Sequence, residues 1–366
     1  SFSGTVVFVL SLLLLADARH KNAKSDIVEY ADFKFTTILQ VDICATKGCK
    51  LFAVAQNTGD YEGQIHILKD DAVMYNLRDI VRNNVGDDGL KTAVELPAGT
   101  YQVKNSNARE NIFHEVSTFF FYFVSNDADN LNTAVYDAQK AKTISSPKEA
   151  FHSAVTVLSA LPQFTLKNYD IGSAAGVTVY TTGFDSMTED SVVLFSGSKE
   201  RAALSFATIV GPIATVFMGK FDASATFKVT VDTSDLRTAD FTPGAFFVAM
   251  SPGYAGNGMT PFASELPLQV TYKFKSSRES PISMHVITNI GQGEKNLTIT
   301  GTGNSKSFDY SFHGKHDLDK KEMTASEISV DWERISGYFV ARFESSGILA
   351  LPTLLPIFLF SCLRFF

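Results

Sequence analysis

The sequence predicts a mostly β protein built from tandem antiparallel β-sandwich domains of CUB-like or jelly-roll-like form, and three observations carry that expectation. The stretch Val177 to Val231 holds four apolar, β-branched or aromatic runs of four to eight residues, parted by Gly, Ser, Asp and Thr clusters, as successive antiparallel strands are. Phe is frequent, at 31 residues, and Trp occurs once, which favours many short strands over long amphipathic helices. Period-two alternation recurs in Val270, Tyr272 and Phe274 and again in Phe308, Tyr310 and Phe312, so each of these strands should bury one face.

At 366 residues and 45% hydrophobic content, the chain is large enough to bury the cores of two or three domains. Its formal net charge of −7 leaves no basic face to neutralise phosphates, which disfavours a nucleic-acid role.

Both ends read as processing signals. Gly4 to Ala16 is a 13-residue apolar run followed by Ala16-Asp17-Ala18, the small-x-small pattern of a signal peptide, with cleavage expected after Ala18, so residues 1–18 are assigned to it. At the other end, Ser345-Ser346-Gly347 precedes the apolar tail Ile348 to Leu363, within a segment 345–366. Small residues ahead of an apolar tail are what a GPI transamidase exchanges for a lipid, with Ser345 or Ser346 as the attachment point. The usual polar spacer is missing, and a transmembrane anchor is the alternative, although 16 residues interrupted by Pro352 and Pro356 are short for a bilayer. Either way the expected partner is a membrane, and the expected location is the extracellular face of the plasma membrane or the secreted pool.

Three cysteines become two once Cys362 leaves with the tail. Cys44 and Cys49 are then expected to pair across the Lys47-Gly48 turn as a structural disulfide that shapes a hairpin, since two thiols without a nearby His pair do not make a metal site.

Between the ends, three folded regions are expected, at 27–144, 164–261 and 266–343. In the first, Phe33 to Ile43 and Lys50 to Ala55 flank the cysteine turn, and Gln64 to Leu68 follows. Ala72 to Val85 is the least strand-like part and suits a short helix. Thr92 to Leu96 and Tyr101 to Lys104 form a hairpin around Pro97-Ala98-Gly99. Val116 to Val124 is apolar throughout and should be a central strand covered on both sides. Ser145 to Pro162 is a linker zone, read either as a helix start at Ser146-Pro147 or as a strand. The third region contains the one N-glycosylation sequon, Asn296-Leu297-Thr298, so Asn296 is a glycan site in a secretory setting. Thr-Gly-Asp and Thr-Gly-Phe-Asp segments ahead of QIHIL and SVVLF give a faint repeat between the first two regions, from either related sandwiches or chance.

Asp190 to Gly197, DSVVLFSG, followed by Phe227 to Phe241, FKVTVDTSDLRTADF, resembles the strand pattern of CUB domains, and in particular the divergent tandem CUB-like domains of secreted nematode proteins, some of them linked to responses to infection. The likeness spans about 65 residues. No cysteine lies between Cys49 and Cys362, so the disulfides usual in that family are absent from this stretch. Some CUB domains bind calcium here. Asp190 matches such a position, Ser196 replaces the Asp before the glycine, and Asp232 or Asp235 would fill the later slot. Two carboxylates are too few for a tight Ca²⁺ site, so no metal is assigned.

Catalytic machinery is not legible. The seven His residues form no HExxH pair, and no Ser nucleophile elbow occurs. The Gly-rich stretch Ser251 to Thr260 lacks a phosphate-binding Lys and reads as a surface loop. His313-Gly314-Lys315-His316, within HGKHDLDKKE, reads as a solvated charged loop. No cofactor is called for. The function expected is that of a non-catalytic adhesion or recognition glycoprotein meeting an extracellular protein or glycan, with a role in host defence implied by the resemblance. The alternative is a secreted enzyme or small-ligand carrier whose site forms between β domains, and a deep apolar pocket would favour it.

Overall fold

The computed structural model describes residues 25–29, 32–33, 36–55, 63–106, 119–126, 131–145, 152–161, 164–170, 177–180, 193–197, 207–210, 213–219, 228–234, 238–242, 244–251, 269–290, 297–304, 306–333 and 338–346. Those residues are mostly β, with one α-helix, Leu77–Asn83, among them.

A first sandwich comes from residues 25–126. One sheet orders Ser25–Glu29, Phe119–Ser125, Cys49–Ala55 and Val94–Leu96, and the other orders Ile38–Val41, Tyr101–Asn105, Ile65–Lys69 and Ala72–Asn76. Val28, Leu51, Ala53, Phe119, Phe121 and Phe123 from one sheet meet Val41, Ile65, Ile67, Tyr101 and Val103 from the other in a common core. The strand Phe119–Ser125 is central, as its unbroken apolar run predicts. Phe121 and Phe123 face this core, and Tyr122 and Val124, on the opposite face, are buried too.

Two expected hairpins turn out to be crossings between sheets. Val94–Leu96 pairs with Cys49–Ala55 in one sheet, whereas Tyr101–Asn105 pairs with Ile38–Val41 and Ile65–Lys69 in the other, so Pro97-Ala98-Gly99 turns a corner. The Cys44–Cys49 segment does the same, leading from Ile38–Val41 in one sheet into Cys49–Ala55 in the other. Turn chemistry announces a reversal, but which strand the chain then pairs with is decided by distant residues.

The helix follows its local signals. Asn76 caps it by accepting from the Asp79 backbone N–H at 2.9 Å, Asp79 sits in the first turn and Arg82 in the last, and Leu77 and Ile80 are buried beneath. Just upstream, Lys69 pairs with Ala72 around a two-residue turn in which both Asp70 (φ 51°) and Asp71 (φ 61°) are left-handed. That turn geometry favours Asn-Gly, because a side chain at positive φ is strained. Asp70→Asn combined with Asp71→Gly is therefore expected to stabilise the chain by about 1 kcal/mol, read as a rise of about 2–4 °C in Tm.

A second sandwich faces a five-stranded sheet, ordered Val193–Gly197, Val177–Tyr180, Ile213–Gly219, His152–Leu158, Leu131–Asp137, against the first strands of an 11-stranded sheet. The linker zone is thus a central strand. His152–Leu158 runs antiparallel to Ile213–Gly219 and parallel to Leu131–Asp137, and Thr156 and Thr215 share a buried hydroxyl hydrogen bond of 3.0 Å. Its Val and Thr content outweighs the helix-start signal.

The large sheet runs Thr143–Ser145, Lys228–Asp232, Phe164–Asp170, Ala207–Val210, Phe246–Met250, Tyr338–Ser345, Gln269–Asn289, Lys315–Glu333, Leu297–Thr302, Ser307–Phe312, and its eleventh strand, Thr238–Asp240, pairs in parallel with Gln269–Asn289 off that path. The segments 164–261 and 266–343 therefore share this sheet, and one core runs from Tyr136 to Phe343. The predicted strands at 268–274 and 282–288 are one 21-residue strand, Gln269–Asn289, with register shifts between Lys275 and Ser280 and between Val286 and Thr288. Pro281 is tolerated there because the flanking strand Tyr338–Ser345 begins to pair only at Ile282. The charged run from Lys315 to Glu322 is part of the 19-residue strand Lys315–Glu333, not a loop. Its partner strand supplies the hydrogen bonds, while Met323, Ala325, Ile328, Val330 and Trp332 beyond it anchor the strand in the core.

Candidate functional site

The disulfide joins Cys44 and Cys49, both fully buried, with Cα atoms 4.8 Å apart. Around it three loops are tied together at one end of the first sandwich. Gly48 N and Gly99 N both donate to the Cys44 carbonyl at 3.1 Å, and Asn126 N donates to the Gly48 carbonyl at 3.1 Å. Tyr101 Oη donates to the Pro97 carbonyl at 2.8 Å, and Lys69 Nζ reaches the Ala98 carbonyl at 3.0 Å. Gly48 is obligatory, with φ of 78° and no room for a Cβ beside the Leu96 carbonyl. These hydrogen bonds all end on backbone carbonyls, so they hold the loop ends in place.

Of the acids that the CUB resemblance singles out, Asp190 and Asp235 lie outside the described residues, as does the side chain of Ser196. Asp232 is already occupied. Its carboxylate accepts from Lys167 Nζ at 2.6 Å, from Ser234 N at 2.9 Å and from Ser234 Oγ at 2.5 Å. The Lys167 hydrogen bond, with that of Ser234, holds the Asp232 carboxyl down to about 2. A protein ammonium thus sits on this carboxylate where the resemblance would place a cation. Among the described residues no group of three His, Cys, Asp or Glu side chains is placed to hold a metal ion.

The solvent face of the large sheet carries a polar surface. Strand register sets three rows across it. They are Thr271, Asp331, Thr298 and Ser311, then Lys273, Ser329, Thr300 and Asp309, then Lys275, Glu327, Thr302 and Ser307. Asp331 is held by Thr271 Oγ1 at 2.6 Å and by Ser329 Oγ at 2.9 Å. The opposite face of the same strands carries Val270, Trp332, Leu297 and Phe312, all buried. Further along, His285 lies between Lys320 and Arg342 in register, and burial followed by those two cations pushes its pKa down.

A cleft of about 260 Å³ opens where Pro281, Ser283, Phe308, Glu322, Thr324 and Ser346 converge. No sequence pattern singles it out, because its walls come from the strands Gln269–Asn289, Ser307–Phe312 and Lys315–Glu333 and from Ser346, the residue after a fourth strand, Tyr338–Ser345.

Sequence reasoning also passes over Lys91. Its side chain is 5% exposed and Nζ has no hydrogen-bond partner among the described residues. Burial lowers its pKa to about 8, against the pull of Asp137 and with a smaller push from Lys140. It lies where the first sandwich joins the second: Lys91 N donates to the Val135 carbonyl at 2.8 Å, and Asp137 N to the Gly89 carbonyl at 2.9 Å.

Of the other predicted sites, Asn296 lies outside the described residues, immediately before the strand Leu297–Thr302. Ser345 ends the strand Tyr338–Ser345 and is 2% exposed, its N–H donating to the Ala245 carbonyl at 2.9 Å, while Ser346 is exposed and donates to the Pro281 carbonyl at 2.8 Å. Residues 1–18 and 347–366 lie outside the described residues, and no helix among the described residues is long and apolar enough to cross a membrane.

No protein-family model matches the chain, and no curated protein matches it. Among solved structures it is similar to the CUB1-EGF-CUB2 domains of rat MASP-1, at 9% identity over 58% of this chain and 99% of that one, with a TM-score of 0.22. It is also similar to a Bacillus thuringiensis Cry1Da tryptic core variant, at 14% identity over 50% of this chain and 42% of that one, with a TM-score of 0.17. Both TM-scores fall below 0.5, and the functional reading rests on this chain's own strands and side chains.

Proposed function

We propose that the chain is an extracellular glycoprotein, exported by residues 1–18, glycosylated at Asn296, held at the cell surface by a lipid on Ser345 or Ser346, and acting as a non-catalytic recognition module with a CUB-like second sandwich in host defence. The observation that carries recognition is the hydrophilic sheet face around Thr298, Thr300 and Asp331, a surface suited to meeting a protein or a glycan and backed by a buried apolar layer. The Cys44–Cys49 bridge supports export, because such bonds persist in oxidising compartments. Ser346, one of the two proposed attachment points, is exposed directly after the strand Tyr338–Ser345.

Treating intact expressing cells with phosphatidylinositol-specific phospholipase should release the protein into the medium. Retention on the membrane, with a known lipid-anchored control released in the same dish, counts against the anchor. The released protein should shift in mobility on treatment with an N-glycosidase, and the Asn296→Gln variant should not.

A further inference from the structure

We propose that the outer edge of the strand Ser307–Phe312 is a self-pairing surface, on which a second copy of this chain adds its own Ser307–Phe312 in antiparallel and joins the two large sheets into one. This goes beyond the recognition reading and is independent of it. Among the described residues the strand ends the 11-stranded sheet and pairs on one side only, with Leu297–Thr302. An open edge is a template for another strand, and folded proteins blunt such edges by shortness, bulges, charge or cover. The other edges are blunted in these ways. Thr143–Ser145, Thr238–Asp240, Val94–Leu96 and Ile38–Val41 run to 3 or 4 residues, and Ala72–Asn76 and Val193–Gly197 carry register shifts against their partners. Ser25–Glu29 holds the carboxylates of Asp26 and Glu29, and Leu131–Asp137 is covered along its outer side by Gly89 to Lys91. Ser307–Phe312, by contrast, is 6 residues long, keeps an unbroken register and carries a single charge, Asp309.

The phase of the ladder fixes which groups this edge offers. Gly303 N donates to the Lys306 carbonyl at 3.0 Å across the turn, and the same register continues through both strands. Hydrogen-bonded and non-bonded pairs alternate in an antiparallel ladder, so Phe308, Tyr310 and Phe312 bond inward, while the N–H and C=O groups of Ser307, Asp309 and Ser311 point outward. Side chains alternate between the two faces. Ser307, Asp309 and Ser311 are exposed on the polar face, whereas Phe308 and Tyr310 lie half-buried on the apolar face beside buried Phe312.

A second copy matches polar face to polar face when a central residue meets its own counterpart on a two-fold axis perpendicular to the sheet. Centring on Asp309 sets two carboxylates directly opposite each other, which is repulsive. Centring on Tyr310 removes that conflict. Asp309 then faces the second copy's Ser311, the two exchange both backbone hydrogen bonds, and the serine hydroxyl donates to the carboxylate. On the apolar face, Phe308 meets the second copy's Phe312 and the two Tyr310 rings meet each other, which covers aromatic surface left half-exposed in one copy. Tyr310 is already set for this, because its Oη donates to the Glu322 carbonyl at 2.9 Å and holds the ring on that face. A strand pair of this length is a small interface, so the dimer belongs to the weak, reversible class.

The test is sedimentation equilibrium of the full chain, solubilised from expressing cells in a density-matched detergent, at concentrations up to roughly 100 μM. The wild type should follow a reversible monomer–dimer equilibrium. Ser311→Pro, which removes an outward N–H at a position where an edge strand tolerates Pro, should abolish the dimer. Charge tests the register. Ser311→Asp sets a carboxylate opposite Asp309 in both halves of the interface and should weaken the dimer about tenfold, whereas Ser311→Lys sets an ammonium there and should tighten it about tenfold. Trp332 fluorescence like that of the wild type confirms that each variant folds. A wild type that stays monomeric at every concentration overturns the proposal, as does a dimer that survives Ser311→Pro or one that responds alike to Ser311→Asp and Ser311→Lys. A monomer that carries a different co-purifying protein, and loses it in Ser311→Pro, gives the edge to a foreign strand and overturns self-pairing.

Discussion

Replacing Phe247 by Ala is expected to lower the unfolding free energy by about 3–5 kcal/mol and to melt the second sandwich together with the long-stranded part of the sheet. The Phe247 ring centroid lies 4.6 Å from that of Phe241, 4.7 Å from Phe274 and 4.9 Å from Phe343, and its plane is within 11° of the last. These rings come from four separate segments: Phe246–Met250, the residue after Thr238–Asp240, Gln269–Asn289 and Tyr338–Ser345. Removing the central one opens a cavity at the seam of the 11-stranded sheet, and aromatic pairs add about 0.5–1.5 kcal/mol each beyond the area they bury. The measurement is built in. Trp332 is the single Trp, is buried, and meets Phe339 edge-on at 5.5 Å. Its fluorescence and the far-UV circular dichroism should move together through one urea transition at a lowered midpoint. A Trp332 signal left unchanged while the dichroism shifts would show that the two parts unfold independently.

Lys91→Met is expected to raise stability by about 3 kcal/mol at pH 7. The lysine's pKa falls from its ordinary 10.5 to about 8, and each unit is worth about 1.4 kcal/mol. The folded chain therefore carries a charge that it would shed by unfolding into water, and a thioether of similar length carries none. The pH dependence has a definite sign. Between about pH 8 and 10 the unfolded chain still holds the Lys91 proton and the folded chain does not, so wild-type stability rises with pH across that window. Above pH 10 Tyr136 reverses the trend, because burial followed by Asp88 raises its pKa and the unfolded chain ionises it first. Among the described residues, Lys91, Asp137, Lys140, Asp88 and Tyr136 meet at this junction. Denaturant titrations at pH 7, 8, 9 and 10 should show the rise in the wild type and a flat line in the Met variant. A rise of equal size in both would assign it to another group.

What the sequence makes legible is what is written locally. Val270, Tyr272 and Phe274 alternate, and they bury one face as that period requires. The unbroken run at Phe119 to Val124 becomes a strand buried on both faces, and Cys44 pairs with Cys49 across the turn between them. Long-range partnership is not written this way. Leu96 and Tyr101 flank ordinary turn chemistry yet belong to different sheets. The charges from Lys315 to Glu322 look like a loop, because nothing in the run itself reveals that Met284 and Val286 lie alongside. Of the cleft, Phe308, Glu322 and Ser346 are ordinary one by one and meet only when their strands converge. Lys91 reads as one more solvated lysine until its neighbours from Val135 to Asp137 enclose it.

The strand Tyr338–Ser345 lies between Phe246–Met250 and the Ile282–Asn289 half of its other neighbour, in the interior of the large sheet. A growing polypeptide on the ribosome therefore cannot complete this sheet until residue 345 has been added. Until then two apolar edges stand bare, a template for pairing with other chains. Synthesis of this protein should accordingly depend on chaperones that shield nascent strands.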